Sequence, residues 1–193
     1  MAKPLAPDPA IGVWKLNVAR SSFKLTLVAP LLILAVCATS ARATEISGTI
    51  STTFTIFDDS ELVGDVTCLV ADAPCIQFGA SDITLKLNGF TMTGRADPPA
   101  RCISTANFSS FLEDGIDVVG WHGVAILGPG HVHKFARLGI FLSGATKAKV
   151  RGVTASDNCF SGILLDVTSD SDIEKNVSVR NAIGSNGFAC GGT

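Results

Sequence analysis

Residues 139–161 and 162–184 are two copies of one unit, laid end to end at an offset of 23. The first copy, "GIFLSGATKAKVRGVTASDNCFS", sets Ile140, Leu142, Ala148, Val150 and Asn158 against Ile163, Leu165, Ser171, Ile173 and Asn181 of the second. A unit this short cannot bury a core by itself, so the chain must stack such units to fold. Apolar residues alternate within the units, and no helical period appears after Thr44, which predicts strands. The opening Gly-apolar-x-apolar pattern recurs at Gly115-Ile-Asp-Val, Gly123-Val-Ala-Ile, Gly139-Ile-Phe-Leu and Gly162-Ile-Leu-Leu. Upstream, "ITLKLNG" (83–89) places Ile83, Leu85 and Leu87 on one face. Short strands, glycine punctuation and a repeat together predict an all-β solenoid rather than a sandwich.

Over roughly residues 60–193 these glycine units and the paired asparagines resemble the right-handed parallel β-helix of the pectate-lyase-like superfamily, in its exported bacterial form. The resemblance implies coils of about 23 residues and parallel strands stacked ~4.8 Å apart. Ile163 and Leu165 would then lie on Ile140 and Leu142. Asn158 and Asn181 would occupy equivalent turns, where asparagine tolerates a left-handed backbone and stacked amides can bond as a ladder. The resemblance also implies polysaccharide lyases, hydrolases or epimerases as relatives, but a shared fold carries no chemistry of its own.

The stretch "GILLDVTSDSDIEKNVSVRN" (162–181) is crowded with acids and invites a reading as a calcium or acid/base site. The 23-residue overlay argues otherwise. Lys147 falls on Asp170, Lys149 on Asp172, Arg151 on Glu174 and Asp157 on Arg180. Exposed pairs of this kind contribute about 0.2–1 kcal/mol each and oppose misregistered stacking. A metal or proton-transfer site needs carboxylates that converge without cations between them. Asp166 is the exception, because its equivalent is Ser143. It and Asp117 are the catalytic candidates, with Ala125, Phe141 and Leu164 expected as outward neighbours. His131 and His133 sit at i, i+2 with His122 nearby in sequence, a candidate metal pair in need of a third ligand. An overlay at an offset of 16 places them before Lys147 and Lys149, whose charges disfavour a cation. Asp58-Asp59 reads as a turn. No Ser/His/Asp elbow, phosphate-binding glycine loop or CxxC motif is visible, so no cofactor is expected.

Residues 25–38, "LTLVAPLLILAVCA", form a 14-residue apolar run behind Arg20 and Lys24, followed by Ala41-Arg42-Ala43. That is a signal-peptide layout with an A-x-A cleavage site, and the run is short for a membrane span. The expected organisation is an N-terminal extension plus signal peptide over 1–43 and a β-helix over 44–193 that breaks off before a capping coil. From Thr44 onward there are 16 acidic and 10 basic residues, a net of −6 with no aromatic-interleaved basic patch, so nucleic acid is an unsuitable partner. Five cysteines remain after cleavage, and in an exported protein they read as disulfide material. Cys68 and Cys75 flank a short loop and are the leading pair. Cys159 and Cys190, in comparable turn regions, are a second candidate pair, and Cys102 is left over. Asn107-Phe-Ser and Asn176-Val-Ser fit the N-glycosylation pattern. The expected function is a periplasmic, extracellular or surface β-helix that binds or displays, with polysaccharide as partner. The alternative is a polysaccharide-active enzyme.

Overall fold

The computed structural model describes residues 42–96 and 112–182. Every regular element among them is a strand, and every strand pairing is parallel. In chain order the strands are β1 (Thr44–Ile50), β2 (Phe54–Ile56), β3 (Ser60–Cys68), β4 (Ile76–Phe78), β5 (Thr84–Lys86) and β6 (Thr91–Thr93). They continue as β7 (Ile116–Val119), β8 (Ala125–His133), β9 (Leu138–Ser143), β10 (Lys149–Ser156), β11 (Ser161–Asp166), β12 (Asp172–Glu174) and β13 (Val177–Val179). The chain passes alternately between two sheets. The larger runs β1-β3-β5-β8-β10-β12, with β6 beside β3 and β8 and β13 beside β10. The smaller runs β2-β4-β7-β9-β11.

Successive passes stack side chain on side chain. In the larger sheet Leu85, Ile126 and Val150 form one buried inward row, continued by Ile173, and in the smaller sheet Ile76, Ile116 and Ile140 form another. Each is flanked by outward residues, which is why the sequence alternates. The rows merge into one apolar cluster from Ile46 to Val153.

The last overlap keeps the register of the sequence repeat: Ile140 pairs Ile163, Leu142 pairs Leu165, and Val150 pairs Ile173. Elsewhere the step varies. The first coil is short, pairing Thr44 with Ser60, whereas a later one is long, pairing Ile76 with Ile116. The excess in the long coil falls between β6 and β7. Stacking also begins at Thr44, upstream of the residue-60 limit that the repeat pattern suggests.

Three of the four glycine units are equivalent. Gly115, Gly139 and Gly162 open β7, β9 and β11 in one row, whereas Gly123 sits in the turn before β8 with φ +64°. The turns carry the left-handed residues. Gly120, Gly144 and Val167 form one such column, and Gly123, Lys147 and Asp170 a second. Lys134, Asp157 and Arg180 form a third, so the left-handed residue precedes the ladder asparagine instead of being it. The apolar run at 25–38, Asn107, Cys102 and Cys190 lie outside the described residues, as does the end of the chain beyond Ala182. Among the described residues no helix is long and apolar enough to cross a membrane.

Candidate functional site

The Cys68–Cys75 disulfide closes the turn that carries the chain from β3 to β4, with Cα atoms 5.9 Å apart. Cys159 is buried and, as a half-cystine, does not titrate. The asparagine ladder starts at the equivalent turn from the larger to the smaller sheet further along the chain, between β10 and β11. Asn158 is fully buried; its Oδ1 accepts from Phe135 N–H at 3.0 Å, and its Nδ2 donates to Asn181 Oδ1 at 3.0 Å. Asn176 repeats the device without a partner asparagine. Its Oδ1 accepts from Val153 N–H and its Nδ2 donates to Val150 O, so the amide of that glycosylation pattern is spent on backbone.

Of the four charge overlays, three are ion pairs. Lys149 meets Asp172 at 4.0 Å, Arg151 meets Glu174 at 3.3 Å, and Arg180 grips both oxygens of Asp157 at 2.8 Å. Lys147 and Asp170 stack as left-handed turn residues, and no ion pair among the described residues joins them. Asp166 ends β11 in the row of Val119 and Ser143, and its Oδ2 accepts from Ser143 Oγ at 3.2 Å. It is exposed, and its hydroxyl partner is the residue that the overlay places one coil earlier.

Asp117 is placed differently. Its neighbours Ile116 and Val118 face the core, so Asp117 points outward in the row of Gln77, Phe141 and Leu164. Ala125 belongs to the other sheet. Yet Asp117 is only 6% exposed. Close by, Arg137 bonds Asp114 through Nε (2.8 Å) and Nη2, both residues being buried, and Asp114 Oδ1 also accepts from Leu138 N–H. The Arg137 guanidinium lies 5.1 Å from the centre of the Phe141 ring. Burial, then the nearby Asp114 charge, pushes the Asp117 carboxyl up to about 6, and among the described residues its Oδ1 has no hydrogen-bond partner. A buried carboxyl in this condition stays partly protonated at mildly acidic pH, the state a general acid requires. The two catalytic candidates do not converge: Asp166 stands two strands over and one outward position along from Asp117.

His131 and His133 both face outward from β8, their rings stacked with centroids 4.5 Å apart. Their partners on the next coil are Thr154 and Ser156, not the lysines that an offset of 16 selects. His122 is elsewhere, in the turn before β8. There its Nδ1 is 2.8 Å from Ser81 Oγ and its Nε2 is 3.2 Å from Asp82. Ser81 Oγ also accepts from His122 N–H, which makes this exposed trio a clasp between turns.

An outward hollow of about 520 Å³ lies on the larger sheet. Ala125, Leu127, Gly128 and Pro129 form its apolar wall, and Lys149, Arg151 and Lys175 its polar one, with no carboxylate in the lining. In the 23-residue overlay Lys149 and Arg151 are marked only as partners of Asp172 and Glu174. Lys175 escaped it because its partner position is Gly152, so no charge overlay marks it.

Comparison with protein-family models, with curated proteins and with solved structures finds no match for this chain.

Proposed function

We propose that the protein is an exported right-handed parallel β-helix of the pectate-lyase-like kind, and that it serves as a secreted or surface binding module for an acidic polysaccharide. The fold half of this reading is supported by parallel strands that alternate between two sheets, and by a last overlap that keeps the register of the sequence repeat. The single observation that carries the binding half is the hollow lined by Lys149, Arg151 and Lys175 without a carboxylate. The chain beyond the expected cleavage site is acidic overall, and although Asp172 and Glu174 pair with Lys149 and Arg151, the cations and not their partners line the concavity, with Lys175 beside them. Such a patch attracts a polyanion and makes its binding salt-dependent.

A glycan panel of polyuronates and neutral polymers, assayed for retention and for cleavage with and without calcium, tests the reading. Polyuronate should be retained, less so at high salt, and Lys149→Glu/Arg151→Glu/Lys175→Glu should abolish retention without cleavage appearing. Equal retention of neutral polymers, or none at all, would overturn it. A polysaccharide-active enzyme is the second reading, favoured by the raised carboxyl of Asp117 and its unpartnered oxygen. Cleavage that disappears in Asp117→Asn would promote it.

A further inference from the structure

We propose that His131, His133 and Asp157 form a site for one divalent transition-metal ion of the zinc, copper or nickel class. One imidazole nitrogen from each histidine and one oxygen of Asp157 lie within 4.8 Å of one another. The arrangement follows from the stacking. His131 and His133 alternate outward on β8, and Asp157 follows Ser156, the strand partner of His133 on the next coil. Two imidazoles and a carboxylate are the donor set borderline divalent ions prefer, and three protein ligands leave a coordination position open. A bound ion would draw each donor in to about 2.0–2.2 Å of the metal, a contraction that half-buried side chains at the surface can make.

The hydrogen bonds around the histidines suit this role. Ser156 Oγ donates its only proton to Asp157 Oδ2 at 2.6 Å. Nε2 of His131 lies 2.7 Å from that serine oxygen, so the nitrogen must be the N–H donor. The lone pair of neutral His131 is then on Nδ1. On the other side His133 Nε2 lies 2.9 Å from Thr93 Oγ1. Hydroxyls on both sides thus fix ring orientation, as outer partners of metal-bound histidines do.

One cation already occupies the carboxylate. Arg180 bonds both oxygens of Asp157 at 2.8 Å, but its side chain is 65% exposed. An exposed ion pair is weak, so a divalent ion bound also by two imidazoles can displace it. Arg180 therefore acts as a competitor for the site.

Calorimetric titration of the untagged, chelator-treated full chain with zinc chloride, and separately with nickel chloride, tests the proposal. One saturable equivalent is expected. His131→Asn and His133→Asn should each weaken it about tenfold or more, on the scale that loss of metal-site contacts produces. Arg180→Gln should tighten it severalfold, and His122→Asn should leave it unchanged. All four side chains are at least partly exposed, and the variants' melting curves check that they fold. Absence of saturable binding, wild-type affinity in the His131 and His133 variants, or no tightening in Arg180→Gln would overturn the three-residue site.

Discussion

Asn158 and Asn181 are joined twice: the backbone N–H and the Nδ2 of Asn158 both donate to Asn181 Oδ1, each at 3.0 Å. The same corner links Asn158 Oδ1 to Phe135 N–H and Asn158 Nδ2 to Val132 O, so one side chain ties three successive coils. Replacing Asn158 by alanine strands buried backbone groups, at roughly 1–3 kcal/mol for each one left unsatisfied. Asn158→Ala should therefore cost about 2–4 kcal/mol, read by denaturant unfolding. Asn181→Ala, at the partly exposed end of the ladder, should cost less.

The ladder also accounts for the glycines. A Cβ on Gly139 would stand 2.8 Å from Asn158 Nδ2 and 2.6 Å from Gly162 O, and one on Gly162 would stand 2.7 Å from Asn181 Nδ2. Gly-apolar-x-apolar and the turn asparagine are two parts of one packed corner. Gly139→Ala should destabilise by about 1–3 kcal/mol, the range for overpacked interiors. Its cost should be non-additive with Asn158→Ala, because removing the amide relieves half the clash. A double-mutant cycle should show a coupling of at least about 0.5 kcal/mol.

Val167 holds φ 49° at 85% exposure, in the column where the earlier coils place Gly120 and Gly144. A β-branched residue pays about 1–2 kcal/mol for a left-handed backbone, and no core contact at this exposure offsets it. Val167→Gly returns part of that through the more flexible unfolded chain. A net gain of about 0.5–1 kcal/mol in unfolding free energy is expected. A loss would show that Val167 contributes packing that its exposure hides.

How much of this was legible depends on spacing. Ile140 over Ile163, Lys149 over Asp172, and Asn158 over Asn181 come from a gap-free overlay, and there the structure keeps the same register. The overlay fails where coil lengths differ. The long step between β4 and β7 contains an insertion. The histidines are misplaced by an overlay that assumes a shorter coil, because β8 and β10 pair at nearly the full repeat, with one slip of register between Arg151 and Val153. The Cys68–Cys75 pair was legible because a short loop leaves few partners. The burial of Asp117 was not. Alternation correctly sends it outward, but whether an outward group is covered depends on what packs across that face, which strand periodicity does not encode.

That burial sets the sharpest pH dependence. The Asp117 carboxyl rises from an ordinary value of 3.8 to about 6 in the folded protein, chiefly through burial. Between those values the native state holds more proton than the unfolded chain, so stability falls as pH rises through the window and stays lower above it. At about 1.36 kcal/mol per pKa unit the full effect is about 2–3 kcal/mol near neutrality. Asp117→Asn cannot ionise and should lose that slope. The amide's own fit adds a pH-independent offset, so the informative quantity is the difference between wild type and variant as pH changes. Denaturant unfolding at intervals from about pH 4 to 7.5 should show the variant gaining on wild type as pH rises, with most of the gain complete by about pH 6.5. A constant difference across that range would mean that Asp117 ionises normally and is not the proton-holding group the second functional reading needs.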